Sequence, residues 1–116
     1  MITLQNGQEI DVLQFDHIDQ VKGLDMALGH YFFSEDTMRF FHSKVYDDLW
    51  VVPGAGVVFI TSEKCDLVPA DPRRYTVRVM RDDGRIDKVS EFQEWATLRQ
   101  ARAQAQRYQE FYRSRP

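Results

Sequence analysis

Three glycine-bearing turns, each set between two runs of strand-forming residues, constrain this chain more than any other feature. Asn6-Gly7 stands between Ile2-Thr3-Leu4-Gln5 and Glu9-Ile10-Asp11-Val12-Leu13. Pro53-Gly54-Ala55-Gly56 separates Leu49 to Val52 from Val57 to Thr61, and Asp82-Asp83-Gly84 separates Arg74 to Arg81 from Ile86 to Phe92. Asn and Gly accept the positive φ angles of tight hairpins, and the flanking runs are β-branched or aromatic. Three local hairpins predict antiparallel pairing.

Between and after the hairpins the period changes from two to three or four. Ile18, Val21, Leu24 and Leu28 form an apolar stripe behind Asp16, the expected N-cap, with Gly29 as the stop; a helix over residues 17–28 is expected. Ser34 reads as a second N-cap, with Glu35 and Asp36 in a first turn where carboxylates oppose the helix dipole. That helix should run over 35–43 and bury Met38 and Phe41. Thr97 and Gln100 match a capping box, after which Leu98, Ala101, Ala105, Tyr108 and Tyr112 recur on one face of a long C-terminal helix. The predicted fold is α+β: an antiparallel sheet built from hairpins, packed by that helix and two shorter N-terminal helices. At 116 residues, without linker or repeat, residues 1–116 should form one domain.

Charge is unevenly placed. The first 66 residues carry 11 Asp and Glu against 4 Lys and Arg, and the remaining 50 carry 7 against 11. The halves can neutralise each other in the fold, or the polarity can steer a charged partner. The longest apolar run, 51–60, is broken by Pro and Gly and is far short of the roughly 20 residues of a membrane helix. The start of the chain lacks the basic and apolar regions of a signal peptide. A lone Cys65 suits a reducing compartment, so the expected location is the cytoplasm, with no membrane association.

Catalytic patterns are weak. Cys65 lies in Glu63-Lys64-Cys65-Asp66, without the context of a thiol enzyme, and no Gly-x-Ser-x-Gly turn exists. His17, His30 and His42 match no metal-ligand spacing, while Asp47-Asp48 and Asp82-Asp83 suit ordinary turns. Gly54-Ala55-Gly56 precedes a strand, where a phosphate loop must open a helix. The expectation is a protein without catalytic residues, metal or cofactor.

Two binding surfaces remain. Tyr31-Phe32-Phe33, Phe40-Phe41, Tyr46 and Trp50 are more aromatic surface than two short elements easily bury, so they form either core or interface. Beside them, Glu35, Asp36, Asp47, Asp48 and Trp50 are the candidate protein-partner surface. Alternation along Arg74-Tyr75-Thr76-Val77-Arg78-Val79-Met80 puts Tyr75, Val77 and Val79 on one face and Arg74, Thr76 and Arg78 on the other. With Arg81 and Arg85, that second face is the alternative, a nucleic-acid surface, unless it pairs with the acidic half.

Three blocks, Tyr31-Phe32-Phe33-Ser34-Glu35-Asp36-Thr37-Met38-Arg39-Phe40-Phe41, Phe59-Ile60-Thr61-Ser62-Glu63 and Pro72-Arg73-Arg74-Tyr75-Thr76-Val77-Arg78, resemble a small uncharacterised domain of bacteriophage and mobile-element genomes. The resemblance covers roughly residues 29–105 and leaves the first 28 outside. It implies no activity, cofactor or catalytic residue. Its genomic setting implies a small accessory protein that binds a host protein or complex, with inhibition of a CRISPR effector as one option.

Overall fold

The computed structural model describes residues 1–64 and 72–114, so Cys65 lies outside the described residues. The chain runs β1 (Ile2–Thr3), β2 (Glu9–Ile10), a 3₁₀ turn (Val12–Gln14), α1 (Ile18–Ala27), α2 (Glu35–Phe40), β3 (Lys44–Val45), β4 (Trp50–Val52), β5 (Gly56–Glu63), β6 (Arg74–Met80), β7 (Ile86–Lys88) and α3 (Leu98–Arg113). It is an α+β protein. β1 and β2 form a separate hairpin, and the main sheet is antiparallel with β5 and β6 at its centre. β3 and β4 pair with different stretches of β5, on the side away from β6, so they make one interrupted edge.

Every residue of β5 is buried because both faces of the sheet are covered. On one face Val58 and Ile60 of β5 meet Val77 and Val79 of β6, and α3 lies across them through Ala101 and Ala105. Two small side chains let helix and sheet approach closely, as the sequence pattern required. Burial of each Val or Ile is worth roughly 1.5–3 kcal/mol. On the other face Val57, Phe59 and Met80 pack against Val12, Phe15, Ile18, Val21 and Leu24 from the 3₁₀ turn and α1. Gly56 sits where the β5 and β6 backbones converge. Its φ is 137°, and a Cβ there would lie 2.0 Å from the Met80 carbonyl oxygen.

Several boundaries differ from the sequence reading for identifiable reasons. His17, rather than Asp16, caps α1: its Nδ1 accepts the Asp19 N–H at 3.1 Å, and Gln20 Oε1 accepts the His17 N–H at 2.9 Å. Position 20 lies three residues beyond 17, so the reciprocal pair selects His17. The second arm of the first hairpin stops at Ile10, where Asp11 Oδ1 accepts the Leu13 N–H and opens the 3₁₀ turn. β7 ends at Lys88 instead of reaching Phe92, because the Ser90 hydroxyl takes the Val77 N–H at 3.0 Å. The Val77 carbonyl still accepts the Val89 and Ser90 N–H groups, but a side chain has replaced the ladder acceptor for its N–H, and a bridge to β6 forms again at Tyr75–Trp95. β3 was not expected; two residues flanked by turns give too short a pattern to read. The C-terminal capping box is formed as expected, with Thr97 Oγ1 and the Gln100 side chain exchanging backbone donors.

Candidate functional site

The segment from Tyr31 to Ser43 lies over the second face of the sheet, beyond the reach of α1. Ser34 caps α2 by accepting the Thr37 N–H at 3.3 Å, and Glu35 pairs with Arg39 at 2.6 Å along the helix. The helix stops at Phe40, short of the expected residue 43, and none of its residues is fully buried; Met38 and Phe41, expected in the core, are half-buried. His42, at φ 48°, takes the chain out of α2, and Tyr31, at φ 58°, stands just ahead of its cap. Left-handed residues of this size cost of order 1–3 kcal/mol unless their surroundings hold them.

The aromatic run divides between core and surface. Phe32 and Phe33 turn inward, with ring centroids 6.5 and 5.7 Å from that of Phe59. Tyr31 is 57% exposed and Phe40 is 75% exposed. Phe41 is half-buried, stacking edge-on to Phe40 at 4.6 Å and tilted to Phe92 at 5.3 Å. Phe40, Phe41 and Phe92 therefore form one continuous aromatic ridge with two exposed ends.

Beneath the ridge lies a charged cluster that the sequence reading did not single out. Glu63, 2% exposed, ends β5 on the same face as Phe59 and Thr61. The Arg78 Nε donates to Thr61 Oγ1 at 2.9 Å, and that hydroxyl donates to Glu63 Oε2 at 2.5 Å. A second chain runs in parallel: the Gln93 N–H donates to Thr76 Oγ1 at 2.8 Å, which donates to Glu63 Oε1 at 2.6 Å. Arg78 Nη2 is 3.8 Å from Glu63 Oε2, and the guanidinium carbon lies 5.0 Å from the centre of the Phe32 ring. Each bond in such a series polarises the next, and the guanidinium gains a cation–π contact. Burial pulls the Arg78 guanidinium below its ordinary value, against the opposing pull of Glu63.

Arg78, Glu63, Phe32, Met38, Phe41 and Phe92 line a cleft of about 140 Å³. Both carboxylate oxygens already accept a hydroxyl. The free capacity of the cluster is thus on Arg78, which has five N–H donors and, among the described residues, makes one hydrogen bond of ordinary length. The signal in sequence was the alternation Val57, Phe59, Thr61, Glu63, with Thr76 and Arg78 facing the same way on the neighbouring strand.

The residues singled out for a protein partner are not all brought together. Glu35 and Asp36 are exposed on the first turn of α2, over the Glu63 face. Asp47 is exposed in the bend between β3 and β4, while Asp48 pairs with Arg102 of α3 at 2.6 Å and Trp50 packs into the α3 cluster. The four hairpin arginines all have internal partners. Arg74 donates to the Gln93 and Glu94 carbonyls, both at 2.7 Å; Arg81 pairs with Asp87 at 3.0 Å and Arg85 with Asp83 at 3.7 Å. Two long-range pairs, Glu63–Arg78 and Asp48–Arg102, join the acidic half of the sequence to the basic half. Among the described residues, no group of three or more His, Cys, Asp or Glu is placed to hold a metal ion.

Residues 17–106 match a family of unknown function, DUF7447, and the chain belongs to that family. The shared region thus includes α1, whereas the three sequence blocks placed its start near residue 29. No curated protein and no solved structure matches the chain.

Proposed function

We propose that this chain is a non-enzymatic accessory protein that acts by binding another protein through the surface built on α2. The observation that carries the reading is Phe40: a phenyl ring left three-quarters exposed, continuous with Phe41 and Phe92, on a helix that buries none of its own residues. An aromatic ridge of this kind costs solubility and is the usual anchor of an interface. Asp36 rims it with negative charge, and Glu35 adds to it once released from Arg39, so the matching partner presents an apolar groove bordered by Lys or Arg.

Within that reading the setting is a phage or mobile element, the location is the bacterial cytoplasm, and the partner is a host protein or complex. A CRISPR effector is the first to try. Among the described residues, no helix is long and apolar enough to cross a membrane. A nucleic-acid partner held by Arg74, Arg78, Arg81 and Arg85 would compete with bonds that these side chains make within the fold and would have to reach a largely buried Arg78, which favours the protein reading.

The test compares capture of host-lysate proteins by the tagged wild type, Phe40→Ser and Glu35→Lys/Asp36→Lys, each shown by circular dichroism to keep its fold. Capture of the wild-type partner should fall at least about tenfold in Phe40→Ser. Equal capture by all three proteins would remove the α2 surface from consideration. Asp48→Lys is a poorer probe, since it also breaks the pair with Arg102.

A further inference from the structure

A second cleft, of about 400 Å³, opens on the other side of Phe32, where the end of α1 meets the chain before α2 and the turn after β6. Asp25, His30, Tyr31, Phe32, Thr37 and Arg85 line it. Asp25 is 0% exposed. Its Oδ2 accepts one long hydrogen bond, from the Phe33 N–H at 3.3 Å. Its Oδ1 is buried with no partner, and among the described residues no other buried side-chain nitrogen or oxygen is in that position.

A buried carboxylate without a counter-charge is costly, and such groups are normally paired or satisfied by a bound molecule. Among the described residues, no Lys, Arg or His side chain pairs with it. Arg85, on the cleft wall, is turned to Asp83 at 3.7 Å. The other walls are mixed: the rings of Phe32 and of Tyr31, held at φ 58°, with His30, Thr37 and Ile86 beside them. A carboxylate oxygen that lacks a donor, with two rings beside it whose faces attract cations, is the chemistry that receives an ammonium group.

We propose that the Asp25 cleft binds an alkylammonium, either a free primary amine or the end of a lysine side chain. The ammonium donates to Oδ1, and its alkyl stem lies against Tyr31 and Phe32. Unlike the α2 surface, this site can be assayed with no partner protein present.

Titration of 15N-labelled protein with n-butylammonium chloride, followed by amide chemical shifts, tests it. Sodium chloride and n-butanol are the controls for ionic strength and for the alkyl chain. The Phe33 amide, bonded to the same carboxylate, should shift saturably with the amine and with neither control. Asp25→Asn should weaken binding at least about tenfold, because an amide keeps the shape and loses the charge. Arg85→Gln, which removes a competing cation from the wall, should bind the amine as well as the wild type or better. A capped tripeptide with a central lysine separates the sources: tighter binding than butylammonium assigns the site to a partner's lysine, and weaker binding to a small amine.

Absence of a saturable shift would overturn the proposal, as expected if ordered water alone meets Oδ1. So would undiminished binding by Asp25→Asn, or loss of binding in Arg85→Gln. Should Asp25→Asn fail to fold, Tyr31→Ala, altered at an exposed wall, must bind more weakly than the wild type or the proposal falls.

Discussion

The two faces of the sheet are built from the same pair of strands and finished in opposite ways. Beneath α3 the contacts are Val58, Ile60, Val77 and Val79 against Ala101 and Ala105, all buried and all apolar. On the other face the apolar packing under α1 gives way, towards the ends of β5 nearest Glu63 and of β6 nearest Arg74, to Thr61, Glu63, Thr76 and Arg78. A short helix with no buried residue roofs that region. One face uses its side chains for cohesion, and the other retains charge, strained backbone and exposed rings. The second is where specificity can reside.

The sharpest way to break that contrast is to remove half of the buried pair. Glu63→Ala or Arg78→Ala should each cost about 3–5 kcal/mol in urea denaturation, because the remaining ion is left in low dielectric. Glu63→Leu combined with Arg78→Met should recover most of that loss, since apolar groups of similar volume need no partner. A double variant as unstable as the singles would mean that the hydroxyl network, rather than the charges, holds this end of the sheet.

Capping gives a smaller contrast between the same faces. Thr97→Ala removes the acceptor that starts α3, a helix docked on the sheet, and should lower stability by about 1 kcal/mol. Ser34→Ala frays α2, whose unfolding exposes little, and should cost only a few tenths of that. Chemical denaturation reports the first, and amide exchange at residues 37–40 reports the second. Equal losses in global stability would show that α2 is an integral part of the core.

The smallest effect is a pH dependence on the α3 face. Burial raises the phenol of Tyr108, with a further push from Tyr112, and burial likewise raises Tyr75, which lies near Tyr46. The folded state thus holds these protons more tightly than the unfolded chain. Their contribution is complete below about pH 10 and is lost as pH rises through the higher folded values. Thermal melts should decline modestly from about pH 10 upward, and Tyr108→Phe should flatten the decline. A melt independent of pH across that window would contradict the assigned burial.

Most of the α3 face could be read from the sequence because its signals are local. A capping box, small residues at 101 and 105, and an alternating strand each carry their own meaning. The division of Arg74 to Met80 into two faces was also correct, but alternation says only which residues share a side, not whether water reaches it. Arg78 faces a cover assembled from residues 32–41 and 92–93, far from it in the chain, so its burial could not be counted from the hairpin. The fate of the aromatic run was undetermined for the same reason: Phe32 and Phe40 differ in what the fold brings to them. Asp25 gave no sequence signal, since an Asp on an amphipathic helix normally faces water.

The interrupted edge made by β3 and β4 has a consequence for how this molecule meets others. Two residues, a bend and then three more leave no long straight row of unpaired amides beside β5, and β7 on the opposite margin has only three residues. Chains that stack strand on strand, whether in ordered complexes or in fibrils, need such a row as a template. Among the described residues the main sheet thus offers little to main-chain zippering, and recognition falls to the side chains of its surface.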